Sequence, residues 1–144
     1  VLKTHWQAVE EGAVKAGRKP DRAQWRIARE VFVGKTAKEA REEALRGVLR
    51  RDWDEYFFPL LSRDKMLGMC KVDKDMPDSE VTAEYMADNV WIVGGPDEVA
   101  AKLQKLQSDV GGFGVLLAMA HEWEPREAWE RSFRLLKKAV LPQL

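Results

Sequence analysis

VWIVGGPDEVAAKLQKLQSDVGGFGVLLAMAHEW, residues 90–123, is the stretch whose reading decides the fold. It divides into strand, glycine turn, helix, glycine turn and strand, followed by a short polar and aromatic cluster. Residues 89–93 are short and β-rich, and Gly94-Gly95 ends them. Pro96 stands where a first helical residue belongs, and Asp97 and Glu98 lie in the first turn, beside the positive end of the helix dipole. Val99, Leu103 and Leu106 recur at i, i+4 and i+7, forming one apolar stripe on a helix that Gly111-Gly112 should stop. Residues 113–120 are apolar without alternation, the pattern of a strand covered on both faces. The whole is a βαβ unit, and in such folds chemistry collects at the carboxyl ends of the strands.

Outward from this unit, residues 6–16 have helical spacing, with Trp6, Val9 and Ala13 on one side and Gly17 as the stop. Residues 24–33 read as a strand interrupted by Arg29 and Glu30. Thr36 opens a helix with a capping box, because Glu39 lies three residues on and can return a bond to the Thr36 amide. The helical signal runs to about Leu49, and a second piece over 52–61 carries Trp53, Tyr56, Phe57 and Leu60. Residues 62–88 are turn-rich and charged, and read as a long surface excursion ending in a helix over 78–88. After Pro125 a last helix carries Trp129, Phe133, Leu136 and Val140 on one face. The order α, β, α, excursion, β, α, β, α argues for about three parallel strands with helices outside.

Composition narrows the functional classes. A chain of 144 residues with 45% hydrophobic residues can bury one core. Lys plus Arg and Asp plus Glu are both 24, so there is no basic excess of the kind nucleic acid or an anionic membrane requires. The basic run at 46–51 meets Asp52, Asp54 and Glu55 at once and reads as a solvated helix face. No apolar run approaches the length of a membrane span. The single cysteine, Cys70, excludes an intrachain disulfide and a cysteine-based metal cluster, and its apolar neighbours suggest a packed thiol in a reducing cytoplasm. The two histidines, His5 and His121, make no metal-ligand spacing, so no metal is expected. Gly34-Lys35-Thr36 is not a P-loop, because Arg29 stands where that motif needs its first glycine. The chain begins with Val1 rather than Met, as expected of a processed, tagged or internally started piece.

The string W-I-V-G-G-P-D-E-V-A-x-K-L, then G-G-F-G-x-L-L and H-x-W, resembles the C-terminal end of the luciferase-like flavin-dependent monooxygenases, nearest the limonene-monooxygenase-like branch. Two upstream stretches are similar to the same family: residues 17–22 running into 25–29, and residues 31–41. The resemblance is weakest over 62–88. It implies that residues 1–144 are the C-terminal part of a TIM (β/α)8 barrel, supplying roughly its last three strand-helix units. It also implies reduced FMN delivered by a separate flavin reductase, molecular oxygen, and an apolar organic substrate. Early-strand residues important in the family would lie outside this chain, so no catalytic residue is nominated and the piece alone is expected to be inactive. It would associate with the rest of the barrel or with copies of itself.

Three groups of residues are candidates for binding. Gly94 and Gly95 offer backbone N–H groups at a helix start, suited either to the FMN phosphate or simply to helix initiation, where Asp97 and Glu98 are at home. Arg29 and Glu30 point to opposite sheet faces, so an inward Arg29 could hold a flavin phosphate or a substrate oxygen, or else pair structurally with a carboxylate. His121 and Trp123 follow the last strand and would line the substrate pocket, or else pack as ordinary loop residues. Two other functions stay open: a deazaflavin-dependent oxidoreductase of the same barrel superfamily, and a non-catalytic α/β oligomerisation module.

Overall fold

The computed structural model describes residues 2–144, Lys3 by its backbone alone. Helix α1 (Leu2–Lys15) leads through a short 3-10 turn to strand β1 (Arg26–Val33). Helix α2 (Ala37–Arg46) follows and breaks at Gly47. A helical rod then runs from α3 (Val48–Asp52) through a π-helical turn (Trp53–Phe57) into α4 (Phe58–Arg63). Helix α5 (Ala83–Asn89) precedes β2 (Ile92–Gly94), α6 (Pro96–Val110), β3 (Val115–Met119) and α7 (Arg126–Leu135), and the chain ends in a second π-helical turn (Leu136–Val140) and a 3-10 turn.

Among the described residues the three strands form one parallel sheet in the order β2-β1-β3. The βαβ unit read from residues 90–123 is present, but its two strands are not neighbours. Strand β2 pairs with the last residues of β1 (Val31↔Ile92 to Val33↔Gly94), and β3 pairs with its first half on the other edge (Arg26↔Val115 to Glu30↔Met119). Where β3 has run out, the Val33 amide donates instead to Ser132 Oγ on α7 at 2.8 Å.

The two faces of the sheet differ. On one, Val31 and Val33 pack with Val99, Ala100 and Leu103 of α6 and with Leu136 and Val140 at the chain end. This is the stripe predicted for α6, and its ends are as the sequence implies: Pro96 opens it and Gly111, in a left-handed conformation at φ 74°, closes it. On the other face Phe32 meets Trp129 edge-on at 5.0 Å, inside a core built from α2, α3, α5 and α7. The first half of that face stays open. Val115, Leu117 and Met119 are exposed while Leu116 and Ala118 pack on the α6 side, so β3 is covered on one face and not on both as its composition suggested.

Three further differences have physical causes. The excursion over 62–88 is not purely a surface feature, because Leu67, Cys70 and Val81 are buried in the core beside Trp53 and Met86. Its 3-10 turns carry apolar residues too sparse to show a period. The capping box at α2 is shifted by one residue: Glu39 accepts from the Lys35 amide, while Thr36 Oγ1 accepts from Glu39. Asn89 closes α5 rather than opening a strand, leaving β2 only three residues.

Candidate functional site

His121 lies two residues past the end of β3 and adopts a left-handed backbone conformation (φ 50°), uncommon for a residue with a Cβ. Its ring lies between two carboxylates, with Nδ1 2.9 Å from Asp52 Oδ2 and Nε2 3.9 Å from Glu30 Oε1. The side chain is only 8% exposed, and Phe57 meets it edge-on with ring centroids 6.0 Å apart. Each partner comes from a different element: Glu30 from the middle strand, Asp52 from the last residue of α3, and Phe57 from the π-helical turn. A π turn rotates the residues after it relative to an α-helix, a device often met beside functional sites. Here it separates Asp52, turned to the histidine, from the outward Asp54, which pairs with Arg50.

Beside this cluster an open pocket of about 420 Å³ lies against the uncovered half of the sheet, lined by Ala28, Glu30 and Met119 on the strands and by Trp53, Phe57 and Cys70 opposite. Its surface is mostly apolar, with Glu30 its one acidic lining residue. Three buried polar atoms among the described residues lack a hydrogen-bond partner, and two of them, Trp53 Nε1 and His121 Nε2, belong to the pocket wall and the cluster behind it. Burial pushes the Cys70 thiol pKa up, and the nearby Glu30 carboxylate adds to the effect.

The structure does not bring the other sequence candidates to this pocket as a set. Arg29 shares the alternation of Val31 and so points toward the α6 side. Its guanidinium donates to Ala28 O at 2.9 Å and lines a cleft with Lys102, Leu106 and Asp109, and the residue also borders the pocket beside Glu30. Burial lowers its pKa, partly offset by Glu30. The inward charge of the Arg29–Glu30 pair is therefore Glu30, the residue sequence reading passed over. Gly94 and Gly95 sit at the end of β2 beside the start of α2, but the Gly95 amide is already held by Glu98 Oε2 at 3.0 Å. A carboxylate thus occupies the place a phosphate would need, which favours the helix-initiation alternative. Trp123 also has a left-handed backbone (φ 58°), and its ring lies on Phe133 of α7, 5.1 Å between centroids, away from His121. The strand alternation and two consecutive left-handed turns explain these departures, and neither is visible as spacing.

No protein-family model matches the chain. It is 33% identical over 144 residues to 3,6-diketocamphane 1,6-monooxygenase of Pseudomonas putida, covering 99% of this chain and 38% of that protein. It is 28% identical to limonene 1,2-monooxygenase of Rhodococcus erythropolis over 98% of this chain and 34% of that one. Among solved structures it matches the oxygenating constituent of 3,6-diketocamphane monooxygenase from Pseudomonas putida, a type II Baeyer-Villiger monooxygenase in complex with FMN. That match has a TM-score of 0.89 at 32% identity, over 99% of this chain and 40% of that one. Its homologues are camphor- and limonene-type monooxygenases of the luciferase-like family, matched over part of their length.

It spans about two fifths of the length of the relatives it matches. Within this chain the stretches that resemble those relatives fall on defined elements. Residues 31–41 are the end of β1 and the start of α2, and the G-G-P-D-E-V string turns β2 into α6. H-x-W lies in the turn between β3 and α7. Asp52 escaped sequence reading because a basic run with acidic residues after it looks like a solvated face. For Arg50 and Arg51 that reading describes the structure well, since they pair with Glu84 and with Glu122 and Glu124. The available signal for Asp52 was its neighbour Trp53, an apolar residue that commits that helix face to the interior.

Proposed function

We propose that this chain forms part of an FMN-dependent oxygenase that uses reduced FMN, supplied by a separate flavin reductase, and molecular oxygen to oxygenate an apolar organic substrate in the cytoplasm. The observation that carries this reading is a likeness in sequence and backbone, over nearly the whole chain, to a monooxygenase whose structure was obtained with FMN.

The site is consistent with a flavin on its own terms. A flavin ring system has apolar faces and a polar edge, and the pocket offers an apolar wall with the unpartnered nitrogens of Trp53 and His121 at and behind it. Trp53 and Phe57 would hold the ring from the wall, with His121 behind them. Reduced FMN supplies the electrons with which oxygen is activated. The chain's own share is to keep water from the reacting atoms with Met119, Phe57 and Trp53 and to orient what binds there. Arg29, Gly94 and Gly95 remain proposed phosphate contacts only if Glu98 swings away and Arg29 turns around the strand edge. The phosphate is better sought on chain beyond these residues.

Titration of the purified chain with FMN, followed by quenching of flavin fluorescence, tests the reading. Saturable quenching is expected, weakened by Trp53→Leu. The exposed row Val115, Leu117 and Met119 favours one alternative, a non-catalytic module that assembles through that face. A stable homo-oligomer with no measurable flavin affinity would establish the module and remove the oxygenase.

A further inference from the structure

The Asp52–His121–Glu30 arrangement goes beyond holding a cofactor. Asp52 Oδ2 lies 2.9 Å from Nδ1, and an ionised carboxylate can only accept, so the contact favours the tautomer with the proton on Nδ1. A neutral imidazole has one N–H, which leaves Nε2 with its lone pair. That atom is buried without a hydrogen-bond partner and faces Glu30 at 3.9 Å, while Glu30 itself lines the pocket. The charged groups around the ring are few, with Arg29 and His5 beside Glu30 on the pocket side. From α3 come Asp52 and, behind it, Arg51, 3.6 Å from Asp52 Oδ1. Glu30 comes from β1, and the neutral Cys70 thiol lies beyond it near Lys74. Glu122 is adjacent in sequence but pairs outward with Arg51.

We propose that Glu30 is the proton-exchanging residue of the pocket, that His121 is its proton store, and that Asp52 is the positioning residue that sets His121 for the task. A proton leaves a pocket-bound molecule for a Glu30 oxygen, and the electron pair of the broken bond stays on that molecule. The proton then passes to His121 Nε2, restoring the Glu30 carboxylate and leaving an imidazolium between two carboxylates. The reverse sequence returns it. The 3.9 Å gap closes to a hydrogen bond when either partner holds the proton. The relay's use in oxygenation rests on the proposed function, but its geometry does not.

Nitrogen-15 NMR of the imidazoles tests it without flavin or substrate. The chain has only two histidines, His5 and His121, and substitution of the exposed His5 by Gln assigns the two sets of signals. Neutral His121 is expected as the Nδ1–H tautomer, Asp52→Ala to shift it toward Nε2–H, and Asp52→Glu to restore the Nδ1–H signature in part. On acidification a downfield Nε2–H resonance is expected in the intact chain and in Cys70→Ala, but not in Glu30→Gln. An Nε2–H tautomer in the intact chain, or an Asp52→Ala spectrum with unchanged tautomer, would overturn the positioning role. An unaltered acid-form spectrum in Glu30→Gln would overturn the relay. Flavin binding that fails while the tautomer result holds would count against the cofactor reading alone.

Discussion

Ser132 Oγ accepts a hydrogen bond from the Val33 amide at 2.8 Å across 99 residues of chain, and both residues are buried. The bond ties α7 to the middle strand where β3 no longer reaches. It supplies a partner for an amide that would otherwise be stranded in a dry interior.

Leaving that amide unpaired should cost the desolvation of one buried donor, about 1–3 kcal/mol. Ser132→Ala is therefore expected to lower the urea midpoint without changing the slope of the transition, and Ser132→Thr to recover part of the loss. Equilibrium unfolding followed by tryptophan fluorescence measures both. A Ser132→Ala chain as stable as the parent would mean that α7 closes over the strand without this bond.

Arg22 holds the end of α6 to the start of the chain. Its Nη1 donates to Val110 O at 2.6 Å and Gly112 O at 3.1 Å, and its guanidinium carbon lies 4.3 Å from the Trp6 ring centroid. Trp6 in turn meets Trp25 at 5.2 Å. Arg22→Ala removes hydrogen bonds from a charged donor and a cation–π contact together, so a loss of about 2–4 kcal/mol is expected. Hydrogen exchange should accelerate in α1 and in residues 110–114 before the rest of the sheet. Uniform acceleration along the chain would refute this local role.

Gly114 admits no side chain. A Cβ there would lie 1.6 Å from Ala23 O, a backbone atom that cannot move aside while the Gly114 amide donates to Trp25 O. Gly114→Ala should destabilise by more than the roughly 1–3 kcal/mol usual for overpacking. Far-ultraviolet circular dichroism and the fraction of soluble chain report the outcome. Gly12→Ala, with open space around the new methyl, is the control and should keep or raise stability.

Burial and the Glu30 carboxylate raise the Cys70 pKa above its ordinary value near 9.0. A raised folded-state pKa on a thiol favours the neutral form, so its contribution is fully present below the unfolded pKa and is lost as pH rises through the folded one. Stability should accordingly fall above about pH 9 with a slope that Cys70→Ala removes. Thiol reagents should modify the folded chain slowly at pH 8 and the unfolded chain fast. Equal rates in both states would show the thiol to be open to solvent.

Much of the fold was legible because local rules and the final structure agree. Pro96 and Gly111 bound α6 where helix-end chemistry places them. Val99 and Leu103 are buried as their spacing requires, as are Trp129, Leu136 and Val140 near the chain end. The site was less legible. Sequence alternation assigns Arg29 and Glu30 to opposite faces without saying which face is which. His121 was recognisable only by its place after a strand. Asp52 lies 69 residues from it in sequence, so no local pattern could pair them.

By itself the sequence determined the order of the main helices and strands, the two ends of α6, the parallel α/β class and the family resemblance, since these depend on nearest neighbours, periodicity and the order of short strings along one chain. Tertiary structure alone decided that β1 lies between β2 and β3, that Glu30 lies on the open sheet face while Arg29 shares the α6 side with Val31, and that Glu98 takes the Gly95 amide. It also decided that His121 sits between two carboxylates. Those outcomes turn on which edges pair and which faces are covered, and they depend on contacts between residues far apart in the chain that no local window contains.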